Sequence, residues 1–159
     1  AWKAEEALEK IGLFKDLGVE LIEQPLAKDD WEGMKFLFER SPLPLFADES
    51  CVAENDVEKC HNHFHGINSK LTKCSGITPA RRMIAKARER NMKIMLGSMN
   101  ECTIGSAAIV HLSPLVDYMD VDGPLLLAED IAAGLNYDNG KVSCSKSPGL
   151  GITLSDSFS

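Results

Sequence analysis

Glu23, Asp48, Lys70, Ser98 with Glu101, and the pair Asp120 and Asp122 are the residues whose types and spacing could do chemistry. Two acids, a lysine and a second acidic pair are the parts of a pocket that binds a cation and moves a proton. Each set closes a short apolar segment: VELIEQP (Val19 to Pro25), LPLFADES (Leu43 to Ser50), GINSKL (Gly66 to Leu71), KIMLGSM (Lys93 to Met99) and YMDVDG (Tyr118 to Gly123). The steps from Glu23 through Asp48, Lys70 and Ser98 to Asp120 are 25, 22, 28 and 22 residues. A (β/α)8 barrel shares roughly 250 residues among eight units, about 31 each, and fewer where loops are short. It also gathers the C-terminal ends of its strands at one mouth. That architecture would bring five distant stretches together.

The elements between these segments read accordingly. Lys3 to Leu17 carries Ala4, Ala7, Leu8, Ile11 and Phe14 at helical spacing, with Gly18 at the C-terminal cap. Asp29 or Asp30 caps a helix running to Arg40, which Pro42 and Pro44 stop. Glu54 to His63 is a short helix, Thr78-Pro79 starts another by cap and proline, and Glu101 to Leu112 is a small-residue helix. Leu125 to Gly134 reads as a short helical piece, and residues 136–159 as a turn-rich tail returning over the barrel. Strands alternating with helices imply a parallel sheet, and near-continuous apolar runs imply strands buried on both faces. The predicted fold is therefore α/β: the last five βα units of a partial (β/α)8 barrel over residues 1–135, followed by the tail. With 159 residues and five units, the first three strands are expected upstream of Ala1. Such a piece has two open sheet edges and an exposed inner apolar face, so it is expected to pair with another copy or a complementing barrel fragment.

Formal net charge is −7, which argues against a nucleic-acid partner, since phosphate binding needs a basic surface. No apolar run has transmembrane length. The five cysteines are widely spread without CxxC spacing and read as reduced thiols of a cytoplasmic protein. Cys60-His61-x-His63-x-His65 has soft-metal ligand types but precedes GINSKL, at the barrel floor, and is read as structural. Cys102 has no identifiable base beside it and is read as a packed helix thiol.

Glu23 and Asp48 close adjacent segments, and their oxygens suit Mg²⁺. Partial desolvation and a nearby metal would lower the pKa of Lys70 enough for it to act as a base. Lys73, in the turn Lys73-Cys74-Ser75-Gly76, is placed at the rim. Asp120 and Asp122 are two apart on one strand and so share a face.

IEQP, ADES, INSKL with the following KCSGIT, GSMNE, DVDGP and PGLGI together resemble the enolase superfamily, within it the muconate-lactonizing subgroup, and within that the dipeptide epimerases. The resemblance covers essentially the whole chain. It implies that Glu23 and Asp48 bind Mg²⁺, that Lys70 is the acid/base, and that Asp120 and Asp122 hold the substrate's terminal ammonium. Ser98, Met99 and Glu101 would help line the substrate site. A Lys base with Mg²⁺ is the superfamily's general pattern. The implied reaction is epimerisation of a dipeptide through α-proton removal and a metal-stabilised enediolate. Cycloisomerase, o-succinylbenzoate synthase and N-acylamino-acid racemase share this chemistry, but their substrates offer no free ammonium to an Asp-x-Asp pair. A catalytically incomplete half-barrel serving assembly or binding is the alternative from another class. The family's third metal-binding Asp, its opposing lysine pair and its capping domain are absent from this sequence.

Overall fold

The structure is a computed structural model that describes residues 1–156. Five parallel strands form one sheet in the order β1-β2-β3-β4-β5, each next to its neighbour in sequence. They are β1 Ile22–Glu23, β2 Leu45–Ala47, β3 Gly66–Ser69, β4 Lys93–Gly97 and β5 Tyr118–Asp120. This is the curled five-stranded half of a (β/α)8 barrel, and β1 and β5 are its open edges.

Helices cover one face of the sheet: α1 Ala4–Asp16, α2 Trp31–Phe38, α3 Asp56–Cys60, α4 Leu71–Cys74, α5 Ile77–Glu89 and α6 Thr103–Val110. The reasons are local. In α1, Ala7 and Ile11 lie one turn apart and are fully buried, and Gly18 with φ +85° ends the helix. In α2, Asp30 Oδ1 accepts the Gly33 amide at 2.9 Å, the expected cap. In α5, Ala80, Met83, Ile84 and Ala87 form one buried stripe. That helix begins at Ile77 after Gly76 (φ +108°), not with Thr78 as cap. Pro79 is tolerated because a first-turn amide has no helical partner to lose.

Alternation along the strands separates two cores. Ile22, Leu45, Ala47, Ile67, Ile94 and Leu96 pack on the helices. Phe46, Met95 and Tyr118 face the opposite, inner side. The Phe46 ring lies over Gly66 and meets Tyr118 edge-on at 5.5 Å between centroids. Phe46 is fully buried and Met95 is 7% exposed, so the inner apolar face is covered by its own side chains rather than bare. This corrects the exposure expected from an open half-barrel.

After β5 a 3-10 turn spans Gly123–Leu126, and the helix expected from Leu125 to Gly134 does not form. Instead β6 (Ala132–Ala133) pairs antiparallel with β9 (Thr153–Leu154), and β7 (Leu135–Asp138) pairs with β8 (Lys141–Cys144). Asp130 replaces helix with hydrogen bonds: its carboxylate accepts the amides of Thr103, at the start of α6, and of Ala132. Residues 157–159 of the predicted tail lie outside the described residues. Among the described residues, no helix is long and apolar enough to cross a membrane.

Candidate active site

Strand period decides which polar side chains meet. Glu23 ends β1; Asp48 follows β2 in the same alternation as Phe46; Asn68 and Lys70 share a face of β3; Gly97 and Asp120 are paired across β4 and β5. All lie at the C-terminal ends of parallel strands, at one mouth.

Glu23 Oε1 accepts from Asn68 Nδ2 at 2.6 Å. Asp48 takes a lysine on each oxygen: Lys70 Nζ to Oδ2 at 2.8 Å and Lys73 Nζ to Oδ1 at 2.6 Å. Lys73 therefore belongs to the mouth and not to the rim. The cause is α4, which starts directly after Lys70, so that residues 70 and 73 lie three apart along one helical turn and face the same way.

The charges influence one another. Burial pushes the Glu23 carboxyl above its usual value; the Asn68 hydrogen bond opposes this, and the neighbouring charge of Asp48 adds to it. Burial also pushes Asp48 upward, but the hydrogen bonds from Lys70 and Lys73 outweigh it and hold the carboxyl below the usual range. For Lys70, burial would lower the pKa, yet its hydrogen bond to Asp48 and the charges of Asp48 and Glu23 raise it. The lowered value expected for a base is thus reversed while Lys70 is paired with Asp48. Asp120 is raised by burial and then by Asp122. Glu23, Asp48, Asp120 and Asp122 face two ammonium groups, so the mouth carries two formal negative charges in excess.

That excess and the donor chemistry fit a divalent cation. Carboxylate oxygens are what Mg²⁺ prefers, and a carboxylate oxygen already hydrogen-bonded keeps a second lone pair. Asn68 Oδ1, buried beside Glu23, has no hydrogen-bond partner. Among the described residues, no group of three or more His, Cys, Asp or Glu is arranged to hold a metal. Glu23 and Asp48 by themselves bring two carboxylates to the mouth, fewer than such a group needs.

Ser98, Met99 and Glu101 form the loop between β4 and α6. The Ser98 amide donates to the Asp120 carbonyl at 2.7 Å, and Glu101 Oε1 turns back to accept the Met99 amide at 3.0 Å. Asp120 and Asp122 are exposed on the other side of that loop. Between them, the Val121 carbonyl accepts the Tyr137 hydroxyl at 2.7 Å, tying β5 to the β7–β8 hairpin.

Asn68, Lys73 and Gly97 were not singled out as site residues from sequence. Asn68 was legible, because it stands two residues before Lys70 on one strand. Gly97 was not: a Cβ there would lie 2.7 Å from Asn68 Nδ2 and 3.0 Å from Lys70 Cε, a constraint only the packed site reveals.

The enolase C-terminal domain-like family matches residues 1–158. The chain belongs to that family. An L-Ala-D/L-amino acid epimerase of Flavobacterium johnsoniae is 52% identical over 96% of this chain and 46% of its own. A substrate-liganded L-Ala-D/L-Glu epimerase from Bacillus subtilis superposes with a TM-score of 0.88 at 33% identity, covering 95% of this chain and 44% of that one. A dipeptide epimerase from Cytophaga hutchinsonii, complexed with Mg and D-Ala-L-Val, gives 0.90 at 26% identity over 99% and 45%. The chain spans less than half the length of these relatives of the enolase family.

Proposed function

We propose that this chain is the part of a Mg²⁺-dependent dipeptide epimerase that carries one acid/base and most of the cation site. The observation that carries the reading is the convergence of Glu23, Asp48 and Lys70 with the free acidic pair Asp120 and Asp122 at one mouth. Glu23 and Asp48 would hold the metal, with a further ligand from elsewhere. Bound Mg²⁺ would stabilise the negative charge that develops on the substrate carboxylate when the α-proton leaves.

The other steps belong to side chains. Lys70 Nζ takes or returns the α-proton on one face of the carbon. Lys73 stays on Asp48 and keeps that carboxylate compensated when Lys70 turns to substrate. Asp120 and Asp122 receive the dipeptide's ammonium, which disfavours the cycloisomerase, o-succinylbenzoate synthase and N-acylamino-acid racemase readings. Ser98, Met99 and Glu101 line the neighbouring loop. Residues 1–135 act as the barrel portion, and of the tail from residue 136 the described part, to residue 156, acts as a segment packed against it. The partners in this reading are a small dipeptide and a second copy or complementing barrel portion. A cytoplasmic location is part of this reading, because a reducing compartment would keep the five free thiols reduced.

The test is exchange of the substrate α-proton in D₂O, followed by proton NMR on the intact protein with Mg²⁺ and a free dipeptide. Lys70→Ala should slow exchange by about 10²- to 10⁴-fold. Exchange that survives Lys70→Ala undiminished would overturn the assignment.

A further inference from the structure

We propose that Gln24 is a positioning residue that sets the separation of Glu23 and Asp48 by holding the backbone of Asp48 on its own side-chain amide. This rests on reading those two carboxylates as the divalent-cation site.

The β1–β2 ladder is short. Its register ends at the pair Glu23 and Phe46, and its last bond runs from the Gln24 amide to the Phe46 carbonyl at 2.9 Å. At Gln24 the backbone turns left-handed (φ +38°), a region that non-glycine residues rarely occupy, and Pro25 follows. So β1 offers no backbone carbonyl to the segment just past β2, where Asp48 stands. The Gln24 side chain supplies the missing acceptor. Its Oε1 accepts the amides of both Asp48 and Ser50, each at 3.1 Å, which uses both lone pairs. Its Nε2 donates to the Leu26 carbonyl at 3.1 Å, fixing the amide plane. One side chain thereby continues the ladder past its backbone end, and it does so between the two acids.

A second tie joins the same loops without touching Asp48: Ser50 Oγ donates to the Lys28 carbonyl at 2.8 Å. It is the natural control. Mg²⁺-type sites demand near-ideal octahedral geometry, so a carboxylate that drifts should lose affinity, and outer-shell partners of metal ligands are typically worth about 10- to 100-fold in binding.

The experiment uses the intact protein, with Mn²⁺ affinity read by electron paramagnetic resonance and amide hydrogen exchange read at Asp48 and Ser50. Gln24→Leu should weaken Mn²⁺ binding by about 10- to 100-fold and speed exchange at both amides. Gln24→Asn, the same amide one methylene shorter, should do likewise and stands in if the leucine variant does not fold. Gln24→Glu keeps the acceptor but loses the bond to the Leu26 carbonyl, so it should leave the Asp48 and Ser50 amides better protected than Gln24→Leu does. Ser50→Ala should lower thermal stability and leave Mn²⁺ affinity unchanged. Wild-type protein that binds no Mn²⁺ overturns the cation reading. Wild type that binds it, with Gln24→Leu or Gln24→Asn binding equally or both amides equally protected, overturns the positioning role alone.

Discussion

Asp48 is 5% exposed and sits between two ammonium groups, whereas Asp120 and Asp122 stand at the same mouth with no lysine in ion-pair range among the described residues. Under the proposed reading the contrast separates their jobs: the compensated acid keeps its geometry, and the uncompensated pair is left to receive the dipeptide's ammonium. Asp120→Asn and Asp122→Asn should each raise KM for free dipeptides by roughly 10- to 100-fold, the worth of a charge-assisted hydrogen bond of about 1.5–3 kcal/mol. N-acylated dipeptides should be nearly unaffected, and equal losses on both substrate types would assign the aspartates another role. Gly97→Ala should be as harmful as loss of a functional group, because the added methyl must displace Asn68 from Glu23 or push on Lys70. We expect a fall in turnover of at least about 10-fold with little change in the unfolding midpoint, since the clash falls on polar groups at the mouth and not on the helix-facing core. Wild-type kinetics for Gly97→Ala would show that Asn68 can relax freely. The charged strand ends were legible in the sequence because they interrupt apolar runs. Gln24 was not, because an uncharged amide at a strand end looks like an ordinary polar boundary until its partners are seen.

The five strands appeared where apolar runs placed them, though each paired segment is shorter than its run. The helix α4 was missed because four residues carry no periodicity, and its omission is what misplaced Lys73. The leucines from 125 to 127 resemble helix, yet Pro124 and the Asp130 bonds commit that stretch to a turn. At the opposite end of the sheet His65 staples β2 to β3. Its amide donates to the Leu45 carbonyl at 2.8 Å, and the Leu45 amide donates to His65 Nδ1 at 3.1 Å. Only the neutral ring can accept that bond, so its proton is on Nε2. Burial, then Lys93, lowers the pKa of His65 from the ordinary 6.5. The unfolded chain therefore binds more protons than the native one between that lowered value and 6.5, and stability rises with pH across the window. The stabilisation from His65 is complete above about pH 6.5 and is lost as pH falls through the folded pKa. Urea unfolding midpoints from pH 7.5 to 5 should show this decline in the wild type and a shallower one in His65→Asn. Parallel slopes would remove His65 as the source.

On the scale of the whole molecule, the sheet has a covered inner face and ends at β1 and β5, with only the Trp2–Leu26 bridge beyond β1 among the described residues. Hydrophobic exposure is not what makes the half-barrel incomplete; unpaired strand edges are. The isolated 159-residue chain should therefore sediment as a dimer or larger species, or associate with a complementary barrel portion when one is supplied. A stable monomer indifferent to that portion would show that β1 and β5 are adequately protected as they stand. The architecture was legible from spacing alone, since strand recurrence is a property of the chain, but the self-covering of the inner face depended on the Phe46–Tyr118 contact, which crosses the two strands between β2 and β5. The close approach at Gly123 has a consequence for how such proteins diversify. A side chain there would run into the backbone at Met99 and Glu101, so the loop after β4 and the turn after β5 are fitted to each other without a side chain between them. Under the proposed reading, side chains on the two loops that meet the dipeptide are expected to change together, because their backbones are in contact at Gly123. A library that recombines residues 98–101 from one lineage with 120–123 from another would fail through mismatched backbones before any preference for a new dipeptide could be selected.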